Sequence, residues 1–234
     1  MIDKDLKLPE AIILCGGKGE RLRPITLDIP KPLVHLNDLP IIHYVINHLV
    51  KYNICKINIA CGYKSNMIKN YFAENCYSAD ISIYDSGDVD IIKRIQDILE
   101  SVRSDVIVLY GDTISNVNIK SLIFHHKTSS KYLTLATWPL KSSYGLVEIS
   151  DNNTVISFAE KPTLNKWINI GYIYINQSYR NIIFNHDSFE EFLVESSNNN
   201  TINAYKHYGL HITDNTLSEL EEAQININSI KRNE

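Results

Sequence analysis

The sequence is short of paired cysteines. Four are present, with no C-x-x-C spacing and no histidine pair beside them. That argues against a metal cluster and leaves four reduced thiols, with Cys15 and Cys61 at expected strand ends. No apolar stretch reaches the roughly 20 residues needed to span a bilayer. The first ten residues, MIDKDLKLPE, are polar rather than a secretory leader, so a cytoplasmic protein is expected. An excess of basic charge is also missing: 23 Lys and Arg face 27 Asp and Glu, for a net charge of −4. That argues against a broad nucleic-acid face and leaves room for a local basic pocket. There is no internal repeat, and Ser196–Asn200 (SSNNN) is the sole low-complexity patch, read as a loop.

What is present suits a globular protein of 234 residues, 44% hydrophobic and 21% charged, with length enough for a sizeable core. AIILCGG, KINIACGY, ADISIYDSG and DVIVLYGD read as strands that stop at glycine. Helices are expected between them. One carries Ile41, Tyr44, Val45 and Leu49 on a face, and a second starts at Ser65 as N-cap and carries Ile68, Tyr71 and Phe72. A third aligns Ile91, Ile95, Ile98 and Leu99, and IKSLIFHHKTS forms a fourth. YLTLATWPL and INIGYIYIN follow as strands, with a hairpin around Asp151–Asn153 between them. The chain closes with the helix SFEEFLVESS, the strand NAYKHYGL and the helix LSELEEAQIN. Alternating strands and helices imply an α/β fold, a mostly parallel sheet that becomes mixed in the second half, and one domain over residues 1–234. Ligands of such sheets bind beyond the carboxyl ends of the strands, so Gly16, Gly62, Gly87 and Gly111 should share one edge.

The stretch AIILCGGKGERLRPITLDIPKPL carries the chemistry. Glycines after a strand let the backbone approach a ligand and aim N–H groups at phosphate oxygens. Arg21 adds a planar fork of donors and Lys31 a point charge. Two familiar phosphate loops do not fit: there is no G-x-x-x-x-G-K-[ST], and Leu22 stands where the third glycine of G-x-G-x-x-G belongs. The next strand also ends without an acid, which disfavours a nicotinamide-dependent oxidoreductase.

The longer run resembles the signature of nucleotidyltransferases acting on sugar 1-phosphates, L-x-G-G-x-G-x-R-L-x-P-x-T…P-K-P. ACGYKSNMIKNYF, VLYGDTISNVNI, SFAEKP, WINIGYIYIN and YKHYGLHITDNT follow in that family's order, and the chain is most similar to its glucose-1-phosphate cytidylyltransferases. The resemblance implies a Rossmann-like, GT-A-like mixed sheet flanked by helices. It also implies a Mg²⁺-dependent reaction of CTP with a phosphomonoester, releasing pyrophosphate. It places Leu14, Gly16, Gly17, Lys18, Gly19, Arg21, Gly87 and Asp112 at the nucleotide and Lys161, Asn169 and Ile170 at the acceptor. Arg21, Lys31 and Lys161 become the catalytic cations, and Asp112 and Asp214 the metal carboxylates. The chemistry agrees: two anions must meet, and cations with two carboxylate-held charges ease that approach.

Three departures from the family pattern stand out. The T-M-T-G-G element is shortened to DSGDVDIIKRI, INGG becomes INIG through Ile170, and a long insertion before this region is absent. An isoleucine beside the acceptor argues against a hydroxyl-rich glucose, and towards another sugar phosphate or an atypical phosphate such as phosphorylated glutamine for capsule decoration. GTP is the alternative donor, and a nucleotide-binding subunit without turnover the alternative class. Family relatives are often oligomeric, which leaves a homo-oligomer open. Away from the motifs, Lys93 and Arg94 read as a solvated helix face, Tyr63 and Lys64 as strand-end caps, His125 and His126 as structural or solvated, and Trp138 and Trp167 as packing residues, with Trp167 close enough to Asn169 to line the pocket.

Overall fold

The computed structural model describes residues 7–212, 219–221 and 223–225. A seven-stranded sheet forms the centre. Its strands are β1 (Glu10–Cys15), β2 (Lys56–Cys61), β3 (Asp80–Asp85), β4 (Val106–Tyr110), β5 (Leu133–Lys141), β6 (Thr163–Ile175) and β7 (Ile202–Lys206). The spatial order is β7-β5-β6-β4-β1-β2-β3. Every pairing is parallel except the two made by β6, so β6 alone runs against the rest. Among the described residues, the longer helices that cross over or flank this sheet include α1 (Ile41–Lys51), α2 (Ser65–Glu74), α3 (Ile91–Leu99), α4 (Ile119–Lys127) and α5 (Phe189–Asn198). The expected mixed, mostly parallel α/β architecture is what the chain adopts.

The central strands are apolar throughout because both faces are covered. Alternate residues of β1 feed different cores: Ala11, Ile13 and Cys15 face α1, α2 and α4, whereas Ile12 faces α3 and α5. The third helix shows the logic clearly. Asp90 caps it, its Oδ1 accepting from Ile92 N at 2.8 Å, and Ile92, Ile95, Ile98 and Leu99 bury one face. The same Oδ1 accepts from Phe189 N at 3.1 Å, which ties α3 to the start of α5.

Several local expectations are corrected. Ser65 is the first residue of α2 rather than its cap; Lys64 holds that place in a left-handed conformation, φ 51°. Short elements too brief to leave a periodic signal appear at Ile25–Asp28, Lys31–Leu33 and Arg180–Ile183. The hairpin of Leu146–Ile149 and Val155–Ala159 forms as expected. It projects from the sheet between β5 and β6 with Val147, Ile149, Val155, Ile156 and Phe158 exposed. Among the described residues, no helix is long and apolar enough to cross a membrane.

Candidate active site

The parallel strands end together, and their glycines do meet. A Cβ on Gly62 would stand 2.5 Å from Gly87 O and 3.1 Å from Gly16 O, and one on Gly111 would stand 2.8 Å from Leu14 O. Such distances leave no room for a side chain, so glycine is what lets the strand ends close upon one another. Gly17 differs, because a Cβ there would meet nothing within 4 Å and the backbone faces open space. Gly19 has φ +62° and turns the loop into the short helical turn Glu20–Leu22 that carries Arg21.

The strongest electrostatic feature joins this loop to β4. Lys31 Nζ lies 2.8 Å from Asp112 Oδ2, with the lysine side chain 7% exposed and the aspartate side chain 34%. An ammonium so buried is tolerable only with a charged partner, and Asp112 supplies one. The intervening segment is clamped by hydrogen bonds. Thr26 Oγ1 donates to Gly19 O at 2.9 Å, Tyr63 OH to Thr26 O at 3.0 Å, and Lys64 Nζ to Leu27 O at 2.6 Å and Asp28 O at 3.0 Å. Tyr63 and Lys64 therefore fasten the segment between the glycine loop and Lys31, beyond ending a strand.

Two ties link the glycine loop to the shortened loop after β3. At the surface, Lys18 Nζ meets Asp88 Oδ2 at 2.8 Å. Beneath it, Arg94 Nη2 donates to Gly16 O at 3.2 Å and to Gly87 O at 2.9 Å. Arg94 is 5% exposed, which corrects its reading as a solvated residue; Lys93 alone is solvated, paired with Asp97 at 2.8 Å. No periodicity could have flagged Arg94, since a buried arginine on an otherwise apolar face looks like an interruption. The signal lay in the glycines: a Cβ on Gly16 would stand 2.3 Å from Arg94 Nε.

On the acceptor side, β6 outruns β4, so its first half lies beyond the carboxyl ends of the parallel strands. Asn169 bridges the two, its Nδ2 donating to Tyr110 OH at 3.4 Å and its Oδ1 accepting from Gly171 N at 2.9 Å. Burial, then the charge of Asp112, raises the Tyr110 hydroxyl above its ordinary pKa. Lys161 is exposed, φ 44°, in the turn that leads from the hairpin into β6 at this same end of the sheet. Ile170 is 2% exposed and belongs to the main core. Its bulk is spent on packing, which corrects the expectation that its side chain shapes the acceptor site and removes the argument against glucose built on it. Trp167 is half-buried, edge-on to Tyr208 and under the Lys206 ammonium.

Other groups near the site are chemically quiet. Burial pushes the Cys15 thiol well up, and burial with Asp85 pushes Cys61 up to about 12, so neither is a nucleophile at neutral pH. His126 is buried against Thr134 Oγ1 at 2.9 Å, a structural role. For a divalent cation, Asp112 offers a hard, partly exposed carboxylate whose Oδ1 takes no hydrogen bond from the described residues. Asp214 lies outside the described residues, and among those described no group of three His, Cys, Asp or Glu could hold a metal.

With this geometry in place, the similarities to known proteins are informative. The model of the nucleotidyl transferase family matches residues 10–215. D-glycero-α-D-manno-heptose 1-phosphate guanylyltransferase of Campylobacter jejuni is 33% identical over 196 residues, 80% of this chain and 86% of that protein. Glucose-1-phosphate cytidylyltransferase of Salmonella typhi is 30% identical over 239 residues, 90% of this chain and 92% of that protein. Among solved structures, HddC from Yersinia pseudotuberculosis superposes with a TM-score of 0.72 at 21% identity, over 94% of this chain and 100% of that one, a likeness of fold. The chain belongs to the nucleotidyl transferase family and is a sugar-phosphate nucleotidyltransferase.

Proposed function

We propose that the chain transfers a cytidylyl group from CTP to a sugar 1-phosphate, releasing pyrophosphate. The observation that carries the reading is the Lys31–Asp112 pair, 2.8 Å apart, beside an open glycine loop at the carboxyl edge of the sheet. An acceptor phosphate oxygen attacks the α-phosphorus. A new P–O bond forms there as the bond to the α,β-bridging oxygen breaks, and its electrons leave with pyrophosphate. The attacking oxygen is already an anion at neutral pH, so no general base is needed and the work is positioning and charge stabilisation.

In this reading the N–H groups of Gly17, Lys18 and Gly19 cradle the triphosphate, with Leu14 and Gly16 forming the floor and Gly87 the facing loop. Arg21 draws charge towards the departing phosphates. Lys31 faces the α-phosphate, where negative charge accumulates. Lys161 and Asn169 receive the acceptor phosphate and its sugar. Mg²⁺ held by Asp112 and Asp214 would supply further charge neutralisation between the two anions. The free thiols Cys15, Cys55, Cys61 and Cys76 suit a reducing cytoplasm, and the nucleotide sugar would serve surface polysaccharide assembly.

GTP is the second reading, favoured by the 33% identity to a heptose 1-phosphate guanylyltransferase. The cytidylyltransferase relative covers 90% of this chain against 80% for the guanylyltransferase, and CTP is put first on that and on the motif resemblance. Pyrophosphate release measured with CTP and GTP against glucose, mannose and heptose 1-phosphates tests both. Release with CTP upholds the first reading, release with GTP alone replaces it with the second, and release with neither contradicts both.

A further inference from the structure

We propose that Arg94 is a positioning residue for the donor nucleotide: from beneath the loops it aims the Gly17 and Asp88 amide N–H groups at the phosphates. The inference rests on the nucleotidyl-transfer reading above and extends it to a residue buried away from the ligand. It begins with the peptide plane. In a trans peptide the carbonyl and the following N–H point in opposite directions. Gly16 O accepts from Arg94 Nη2 at 3.2 Å and from Tyr63 N at 3.2 Å, so both its lone pairs are directed into the protein. The N–H of Gly17 is therefore turned outward, and the space around Gly17 is open. Gly87 O accepts from the same Nη2 at 2.9 Å, which turns the Asp88 N–H outward in the same manner. A Cβ on Gly87 would also meet nothing within 4 Å. One nitrogen thus sets the direction of donors on two loops that come from different strands.

The molecule makes room for this arrangement. A Cβ on Gly16 would stand 2.3 Å from Arg94 Nε, and one on Gly62 would stand 2.7 Å from Arg94 Nη2. Two of the strand-end glycines are thus vacated for a guanidinium rather than for a ligand. The arrangement is also costly. Arg94 is 5% exposed, its Nε has no hydrogen-bond partner, and no carboxylate among the described residues lies within ion-pair distance of it. A buried cation without an ion-pair partner is unfavourable by itself, and the exposed Asp88 carboxylate offsets it only at longer range. A polyphosphate laid over the two loops supplies that counter-charge, so the position favours the liganded state beyond simply bracing the fold. Lysine cannot replace it, because its ammonium ends about one bond short of Nη2 and lacks the planar fork.

The test compares wild type, Arg94→Ala and Arg94→Lys by donor and acceptor kinetics and by hydrogen exchange of the loops. Donor KM should rise about tenfold or more in both variants while acceptor KM stays within about twofold. Millimolar guanidinium should lower the donor KM of Arg94→Ala, while methylammonium does not, and wild type should respond to neither. The hydrogen-bonded amides of Tyr63, which donates to Gly16 O, and Gly87, which donates to Asp85 Oδ1, should exchange faster together in both variants, with α5 unchanged. Donor and acceptor KM rising in parallel, or no rescue by guanidinium, would overturn the proposal. If Arg94→Ala does not fold, Arg94→Lys carries the kinetic and exchange comparison. If wild type turns over no donor at all, the functional reading fails, and exchange at the two loops still decides whether Arg94 holds them.

Discussion

Lys31 and Asp112 are separated by 81 residues of sequence, yet Lys31 Nζ and Asp112 Oδ2 lie 2.8 Å apart. The pair ties the segment after the glycine loop to the end of a central strand, and it places a buried cation beside a carboxylate. Asp112→Asn keeps the shape and removes the charge. We expect turnover to fall about 10²–10³-fold, the scale of losing a preorganised electrostatic contact. Stability should fall as well, by on the order of 1–3 kcal/mol, because Lys31 stays buried without this counter-charge. Lys31→Met should lose comparable turnover with a smaller stability loss, since the buried charge goes too. Turnover and denaturant midpoints for the two variants check both statements.

Gly16 and Gly17 are neighbours with opposite requirements. Alanine at Gly16 collides with the Arg94 guanidinium at 2.3 Å and should destabilise by about 1–3 kcal/mol. Alanine at Gly17 meets open space and should fold normally, with up to about 1 kcal/mol gained from a stiffer unfolded chain. In the proposed reading its methyl group stands where the nucleotide would approach, so donor KM should rise about tenfold. Melting curves and donor titrations of the two variants separate the cases.

Acid should destabilise the protein before its carboxylates titrate. Burial, then the charge of Lys127, lowers the His126 pKa to about 4, and burial lowers His211 to about 4. The unfolded chain takes up these protons near pH 6.5 and the folded chain does not, so stability rises with pH between about 4 and 6.5. Asp85, held below its ordinary value by Lys69, loses its contribution only at still lower pH. A loss on the order of 1–3 kcal/mol is expected between pH 7.5 and 5, measured by urea unfolding. His126→Gln should flatten that dependence; an unchanged slope would count against the assignment.

Lys161 is exposed at the turn into β6, so its role separates cleanly from folding. Lys161→Met should leave the melting temperature unchanged and raise acceptor KM about tenfold or more, with donor KM little affected. Equal effects on both substrates would contradict its assignment to the acceptor.

Much of this architecture was legible because buried parallel strands announce themselves as unbroken apolar runs. AIILC, KINIAC and VIVLY needed no more than that, and their terminal glycines marked the edge that carries the site. What escaped was set by tertiary contact. Arg94 reads as surface until Gly16 and Gly62 make space for it, and Ile170 reads as a site residue until β6 carries its side chain into the core. Ser65 looks like a cap, but the left-handed Lys64 before it takes that position. Asp214, expected as the second carboxylate, falls outside the described residues.

The most direct measurement is pyrophosphate release with ATP, CTP, GTP, UTP and dTTP in turn, with Mg²⁺, against a panel of sugar 1-phosphates. The account predicts acceptor-dependent release, strongest with CTP, that falls about 10²–10³-fold in Asp112→Asn. Release from no nucleotide with any acceptor, by a folded protein, would contradict it.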